Sequence, residues 1–441
     1  MLAPVVILAA TSARMLAESA RRGGLRPVAF DIFGDVDTRR AAHWVGIGNR
    51  GGSRIDSQRM HAAITRLARH PQVRGWIAGG GFEDRLDLLR DCARTLPLLG
   101  NEPAAIAAAK QPIAFFGLLD RHGIAHPRTS LVPPEAPAGW LVKRIGGTGG
   151  WHVRRLAATG RGPTETASLP LARTQTGSAS SATAGALGVA PADPRQARRA
   201  RRPPAIYYQR EEPGQPMSAL FLANGRDACL VGYNLLLTDG AAERPFVFQG
   251  AVGPVDLPAA AAQVVQHAIE CLARHLELKG LNSLDFLLAG DHVSVIEVNP
   301  RPSATMQLHD HRLPGGLLNA HLAACSQRLL PSVPSLVEPP AVSSVLSAAA
   351  APGGGAQEGG GPINGTQVIY AGHRLVMTRR AGQRLQALGW CHDIGREGTR
   401  SSRGDPLCSI SAQADSTAAV IRLLARRVSE VERIHEEENE R

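Results

Sequence analysis

The stretch that most restricts how this chain can fold runs from Leu284 to Arg301. Two short apolar runs, Leu284 to Leu288 and Val293 to Val298, flank the turn Gly290-Asp291, which predicts a β-hairpin. Phe286, Val295, Ile296 and Val298 ask for burial, yet Asp285, Glu297 and Asn299 are set among them. Asp285 and Glu297 fall on adjacent strands, and Glu297 and Asn299, two residues apart, share a face. An edge hairpin with its polar residues in solvent is the plain alternative. The apolar residues argue against it, because unpaired acids in a buried hairpin are costly. Three oxygen donors on one face, with Arg301 beside them, suit magnesium shared with phosphate groups. That ion wants about six oxygen ligands and typically takes one or two from carboxylates.

The rest of the chain supplies possible partners. Trp140 to Arg144 reads as a strand and Trp151 to Leu156 as its neighbour, joined by Gly146-Gly147-Thr148-Gly149-Gly150. Such a tip lets backbone amides approach phosphate, and Lys143 beside it offers a point charge. Ile206 to Arg210 is a strand running into the polar turn Glu211-Glu212. Residues 217–223 and 228–236 form an antiparallel pair, and Leu257 to Leu276 and Leu313 to Leu330 are helical. Near the start, Val5 to Ala10, Ser12 to Arg22, Pro27 to Phe30 and Val73 to Ala78 read as strand, helix, strand, strand. That implies a small parallel α/β unit over residues 1–100. Gly79-Gly80-Gly81 follows the last strand, where open α/β sheets place ligands.

Composition narrows the field. Aromatics are 4% of the chain, too few for a base-stacking surface. No apolar run reaches 18 residues, so no membrane span is expected. Of the 49 basic residues, three are lysine: Lys110, Lys143 and Lys279. The net charge of +11 owes much to the stretch from Ala157 to Pro204, rich in Gly, Ala, Ser, Thr, Pro and Arg. This reads as a low-complexity insertion and its arginines as a solvated loop, so nucleic acid is not the expected partner. Residues 331–362 read as a linker and 363–441 as a small α+β module. The last helix of that module starts near Asp415-Ser416, buries Val420, Leu424, Val428 and Val431, and ends in a frayed acidic tail from Glu436 to Glu440. The six cysteines, at 92, 229, 271, 325, 391 and 408, form no CxxC pair and read as buried free thiols in a reducing compartment. MLAPVVILAATSA has no basic residue ahead of its apolar run, so it reads as a first strand and the expected location is cytoplasmic.

In this order the pieces resemble the ATP-grasp superfamily, over most of residues 1–330. The most specific part is Asp285 followed by Glu297-Val298-Asn299-Pro300-Arg301, similar to that family's metal-binding acid and its E-x-N-P-R motif. The resemblance implies a mixed α/β and α+β fold: an N-terminal parallel α/β domain (1–100), a two-lobed ATP-grasp domain (101–330) and a small C-terminal α+β domain. It implies ATP with magnesium or manganese, two ions, held by Asp285, Glu297 and Asn299. Arg301 would steady the transferred phosphoryl group or the carboxylate. Lys143 would contact the α- and β-phosphates, with Gly146, Gly147, Gly149 and Gly150 in the lid loop, and Lys110 would also reach phosphate. Gln209, Arg210, Glu211 and Glu212 would form the hinge that reads adenine. The first metal ligand is Asp where Glu is commoner in the family, which touches fine geometry alone.

Shorter motifs resemble predicted carboligase-like ATP-grasp proteins of one-carbon metabolism, linked to tetrahydromethanopterin- and methanofuran-type cofactors. They are Ser12-Ala13-Arg14, Asp31-Ile32-Phe33-Gly34-Asp35, Gly79-Gly80-Gly81-Phe82-Glu83, and the run from Asp393-Ile394 to Cys408. The implied activity is an ADP-forming ligase that joins a small carboxylate to a small amine through an acyl phosphate; a homodimer is compatible with it. One alternative is a biotin-carboxylase-like enzyme that phosphorylates bicarbonate. Another is a non-catalytic nucleotide- or RNA-binding protein, for which an intact set of Asp285, Glu297 and Asn299 would serve little purpose.

Overall fold

A computed structural model describes residues 4–49, 54–156, 206–238, 244–331 and 362–439. The expected insertion, 157–204, and nearly all of the expected linker, 331–362, lie outside the described residues. The architecture is mixed: a parallel sheet at the N-terminus, a large antiparallel sheet in the middle, and α+β structure to the end. No helix among the described residues is long and apolar enough to cross a membrane.

The N-terminal sheet orders its strands His43–Gly46, Arg26–Asp31, Val5–Ala9 and Val73–Ala78, all parallel. Helix Arg14–Arg22 follows the first strand and buries Leu16, Ala17 and Ala20. On the sheet's other side, helices Ser57–Ala68 and Leu86–Thr95 enclose Ile7, Phe30, Ile64, Trp76 and Leu89.

The central sheet has eight strands, in the order His292–Asn299, Lys279–Ala289, Gln215–Asn224, Ala228–Thr238, Phe248–Val255, Ile363–Tyr370, Pro406–Ala414 and Cys391–His392. Its middle strand shows why residues 219–223 are apolar without a break. Ala219, Phe221 and Ala223 face a core with helices Pro103–Lys110, Pro112–Arg121 and Ala259–His275. Leu220 and Leu222 face a second core with helices Arg14–Arg22 and Gly316–Ser326. Both faces are therefore buried, and the first of the two cores fixes the hairpin that carries the acids. A smaller sheet, Thr129–Ser130, Ile206–Arg210, Trp140–Arg144 and Arg154–Arg155, forms the other lobe.

Four expectations need correction. The strand expected over Trp151 to Leu156 shrinks to Arg154–Arg155, because Trp151 and His152 turn back over the glycine loop. The helix expected over Leu313 to Leu330 is Gly316–Ser326: Pro314 and the left-handed Gly315, with φ of 81°, delay its start. Of the six cysteines, Cys229 and Cys325 are half-buried. Helix Thr417–Asn439 carries the acidic tail as far as Glu438, and Glu437 and Glu438 both pair with Arg384, at 2.8 and 3.0 Å, so this part is not frayed; Glu440 lies outside the described residues. The C-terminal segment also joins the rest more closely than a separate module would. Its strand Ile363–Tyr370 pairs with Phe248–Val255 and so continues the central sheet.

Candidate active site

The hairpin brings its three oxygen donors together. Asp285 stands opposite Glu297, and Ser283 opposite Asn299. Leu284, Phe286 and Val298 point the other way into the helical core. Between Asp285 and Phe286 the register slips, leaving Ile296 as an extra residue on its strand. Such a bulge raises local twist and re-aims the side chains beside it. Here it lets Glu297 and Asn299 share a face while Val295 returns to the core. Asn299 Nδ2 donates to Asp285 Oδ2 at 2.9 Å.

Lys110 comes from the end of helix Pro103–Lys110, which Gln111-Pro112 breaks from the next. Its Nζ lies 3.0 Å from Glu297 Oε2 and 3.1 Å from Asn299 Oδ1. Burial acts to raise the Glu297 carboxyl, but Lys110, with Lys143 beyond, holds it down at about 2. Lys110 acts to lower Asp285 as well but does not bond it, and burial first, then the Glu297 charge, push it up to about 7. Two carboxylates and an amide oxygen crowded on one face, one of them holding a proton near neutrality, fit a hard divalent cation.

Lys143 is buried on strand Trp140–Arg144 and donates to Gln209 Oε1 on the paired strand. Burial lowers it to about 8. The glycine loop that follows is tied down at both ends. Gly146 and Gly150 have φ of 73° and 76°. A Cβ on Gly150 would lie 1.7 Å from the Phe246 carbonyl oxygen, so only glycine fits there. Of the four residues expected to form the hinge, Gln209 alone bonds a lysine, Lys143. Arg210 donates to the Ala138 carbonyl, Glu211 pairs with Arg155 at 2.7 Å, and Glu212 accepts from Ser294.

Arg301 closes the site from the other side. Its guanidinium pairs with Glu83, which also accepts from the Gly81 amide at 2.9 Å. Gly80 packs on the same guanidinium. The turn after Val73–Ala78 thus meets the hairpin, and the loop at Pro300 is anchored by Asn101, which bonds both Asn282 and the Pro300 carbonyl. A cleft of about 1330 Å³, lined in part by Glu83, Arg85, Lys110, Gln111 and Gly146, opens beside these groups.

Two residues take roles at the site that the sequence did not assign. Glu83 ends the motif Gly79-Gly80-Gly81-Phe82-Glu83, but nothing local announces that it meets Arg301 across 218 residues. His152 packs against Gly147, and burial lowers its imidazole to about 4, so it stays neutral near Lys143 and Glu297. Its one signal is being a large polar residue at the end of a glycine run.

The sequence model of the ATP-grasp domain matches residues 181–305, a stretch that includes the expected hinge and the hairpin. A search of curated proteins found no match. Among solved structures, N5-carboxyaminoimidazole synthase from Aspergillus clavatus, in complex with ADP and 5-aminoimidazole ribonucleotide, is 11% identical with a TM-score of 0.61, covering 98% of this chain and 99% of its own. L-amino acid ligase from Bacillus licheniformis is 12% identical with a TM-score of 0.60, covering 98% of each chain. Biotin carboxylase from Campylobacter jejuni is 11% identical with a TM-score of 0.61, covering 94% of this chain and 89% of its own. At these identities the likeness shows the fold.

Proposed function

We propose that this chain, built on the ATP-grasp fold, is an ADP-forming ligase that joins a carboxylate to an amine. The observation that carries the proposal is the meeting of Asp285, Glu297 and Asn299 with Lys110 and Lys143 on one face, Arg301 at its end. Phosphoryl transfer needs positioning and charge neutralisation more than covalent help. When bound to Asp285, Glu297 and Asn299, magnesium would screen the phosphates from the incoming carboxylate.

The chain's own groups account for the remainder. Lys143 and Lys110 bind phosphate oxygens, and Gly146, Gly147, Gly149 and Gly150 fold their amides over them. Gln209 orients Lys143, while the backbone of Arg210, Glu211 and Glu212 borders the adenine. Arg301, held by Glu83, steadies the group in transfer. A substrate carboxylate oxygen attacks the γ-phosphorus, the β–γ bridge breaks, and ADP leaves. The amine nitrogen then attacks the acyl carbon, phosphate departs, and the nitrogen loses a proton. The finer reading, a role in one-carbon cofactor synthesis, rests on the short motifs at residues 12–14, 31–35, 79–83 and 393–408.

The test is ADP release with Mg-ATP across a panel of carboxylates and amines. Hydroxylamine in place of the amine is expected to trap the acyl phosphate as a hydroxamate. AMP and pyrophosphate as products would refute the mechanism. Strict dependence on bicarbonate would transfer the assignment to a carboxylase.

A further inference from the structure

Three sequence motifs outside the ATP site converge on one another. Arg14 opens helix Arg14–Arg22, Asp31 ends strand Arg26–Asp31 with Asp35 and Asp37 just beyond, and Asp393 lies in the C-terminal segment. Arg14 Nε binds Asp393 Oδ1 at 2.8 Å, and its Nη1 binds Glu18 at 2.9 Å. Ser12 and Ser409 also donate to Asp393. The Ile394 amide donates to Asp37, and the Val36 amide to the Ile394 carbonyl. Asp31 accepts from the Ala13 and Gly34 amides and from Trp44 Nε1.

Five acids, Glu18, Asp31, Asp35, Asp37 and Asp393, thus share one cation, Arg14, hydrogen-bonded among them. Arg39 turns away to the Gly34 carbonyl and the Trp44 ring, and Arg21 to the Arg40 carbonyl. Asp35 stands out. It is 6% exposed, and no described group donates a hydrogen bond to its carboxyl. Burial first, then Asp393, Asp31 and Asp37, push it up to about 8, so with no cation beside it the carboxyl holds a proton near neutral pH. Every other acid of the group already accepts hydrogen bonds. A metal ion would want about six oxygens and finds one free carboxyl, whereas an ammonium group brings three N–H donors and one charge.

The cluster's position fits a substrate. Glu18 and Asp37, though not Asp35 itself, line a cavity of about 380 Å³ with His392, Gln386 and the arginines Arg21 and Arg40. On another side, Ser12 follows Thr11, whose amide and hydroxyl both donate to the Gly80 carbonyl, and Gly80 packs on Arg301. One turn of backbone therefore separates the acids from the proposed phosphoryl-transfer site.

We propose that Asp35, set among Asp31, Asp37 and Asp393, binds the ammonium group of the amine substrate. The assignment deepens the ligase reading and rests on it for the fate of the amine, but binding is measured apart from turnover. The probes are benzylamine and butane-1,4-diamine, against benzyl alcohol and butane-1,4-diol, added to the full chain at pH 8 in thermal melts. The amines are expected to raise the melting temperature with concentration and the alcohols not to. In Asp35→Asn the amine response is expected to weaken at least tenfold, while the shift caused by ADP is kept. Without ligand, Asp35→Asn is expected to melt no lower than the unsubstituted chain, since it removes an unpartnered acid; a merely structural residue would lower it. Equal responses to amine and alcohol, or an undiminished amine response in Asp35→Asn, would overturn the proposal. So would an Asp35-dependent shift with magnesium or manganese alone and none with amine. Amine binding in a chain that releases no ADP with any carboxylate would leave the pocket standing and remove the ligase.

Discussion

Glu297→Gln tests the proposed metal face through two readouts that share one cause. The substitution keeps shape but removes the charge that Lys110 binds at 3.0 Å. Breaking a buried ion pair costs about 3–5 kcal/mol. Asn299 still accepts from Lys110, at 3.1 Å, so the low end, about 3 kcal/mol, is expected. The pH dependence has a definite sign. Glu297 is depressed to about 2, so its contribution is present above its unfolded value and is lost as pH falls towards 2. Asp285 is raised to about 7, so it favours the folded state at low pH, and that advantage is lost as pH rises through 7. Without the Glu297 charge, Asp285 falls, and the variant loses less than the parent between pH 4 and 7. The stability deficit of Glu297→Gln is therefore largest near pH 5 and narrows by on the order of 1 kcal/mol above pH 7. Urea melts from pH 3 to 8.5 measure it. In the same variant ADP release is expected to drop about 10²–10³-fold, the equivalent of about 3–4 kcal/mol of lost charge stabilisation. A deficit that is flat with pH, or turnover within a few-fold of normal, would refute the reasoning.

Other outcomes follow from contacts at the same site. Gly150→Ala places a Cβ against the Phe246 carbonyl and forces a left-handed residue, a strain of about 1–2 kcal/mol before the clash is counted. The glycine loop is expected to lift, raising the KM for ATP at least tenfold and lowering the melting temperature by a few degrees; an unaltered KM would show that the loop does not touch nucleotide. Glu83→Gln leaves the Arg301 guanidinium buried without its carboxylate and is expected to destabilise the chain by about 3 kcal/mol, read in urea melts. A charge reversal of the pair, Glu83→Arg with Arg301→Glu, is expected to recover part of that stability but none of the ADP release; recovery of both would limit Arg301 to holding the fold.

Much of the site was legible because its information is local. A two-residue alternation decides which face Glu297 and Asn299 occupy, and apolar neighbours say that the face is not solvent. The bulge at Ile296 was not legible, since slipping by one residue leaves the composition of the strand unchanged. Strand Phe248–Val255 hid for another reason. Gly250, Gly253 and Pro254 give it the look of a loop, yet Gly250 is there because a Cβ would come within 2.1 Å of the Thr366 carbonyl on the adjoining strand. Glu83 and Asp35 depend on partners hundreds of residues away, Arg301 for one and Asp393 for the other, and a linear pattern carries no trace of such a meeting.

The pairing of Phe248–Val255 with Ile363–Tyr370 has a consequence for anyone who would trim this protein. A chain ended near residue 331 would keep the hairpin, both proposed phosphate lysines, the N-terminal sheet and five of the eight strands of the central sheet. It would also expose a row of unsatisfied amides and carbonyls along Phe248–Val255, a template for another molecule's strand. The final 79 residues, 363–441, are thus a seam as well as a lobe. They cover an edge that would otherwise invite self-association, and they deliver Asp393 to the acids of the first domain. Shortening the chain to a minimal nucleotide-binding core would lose solubility and one wall of the proposed amine pocket in a single cut.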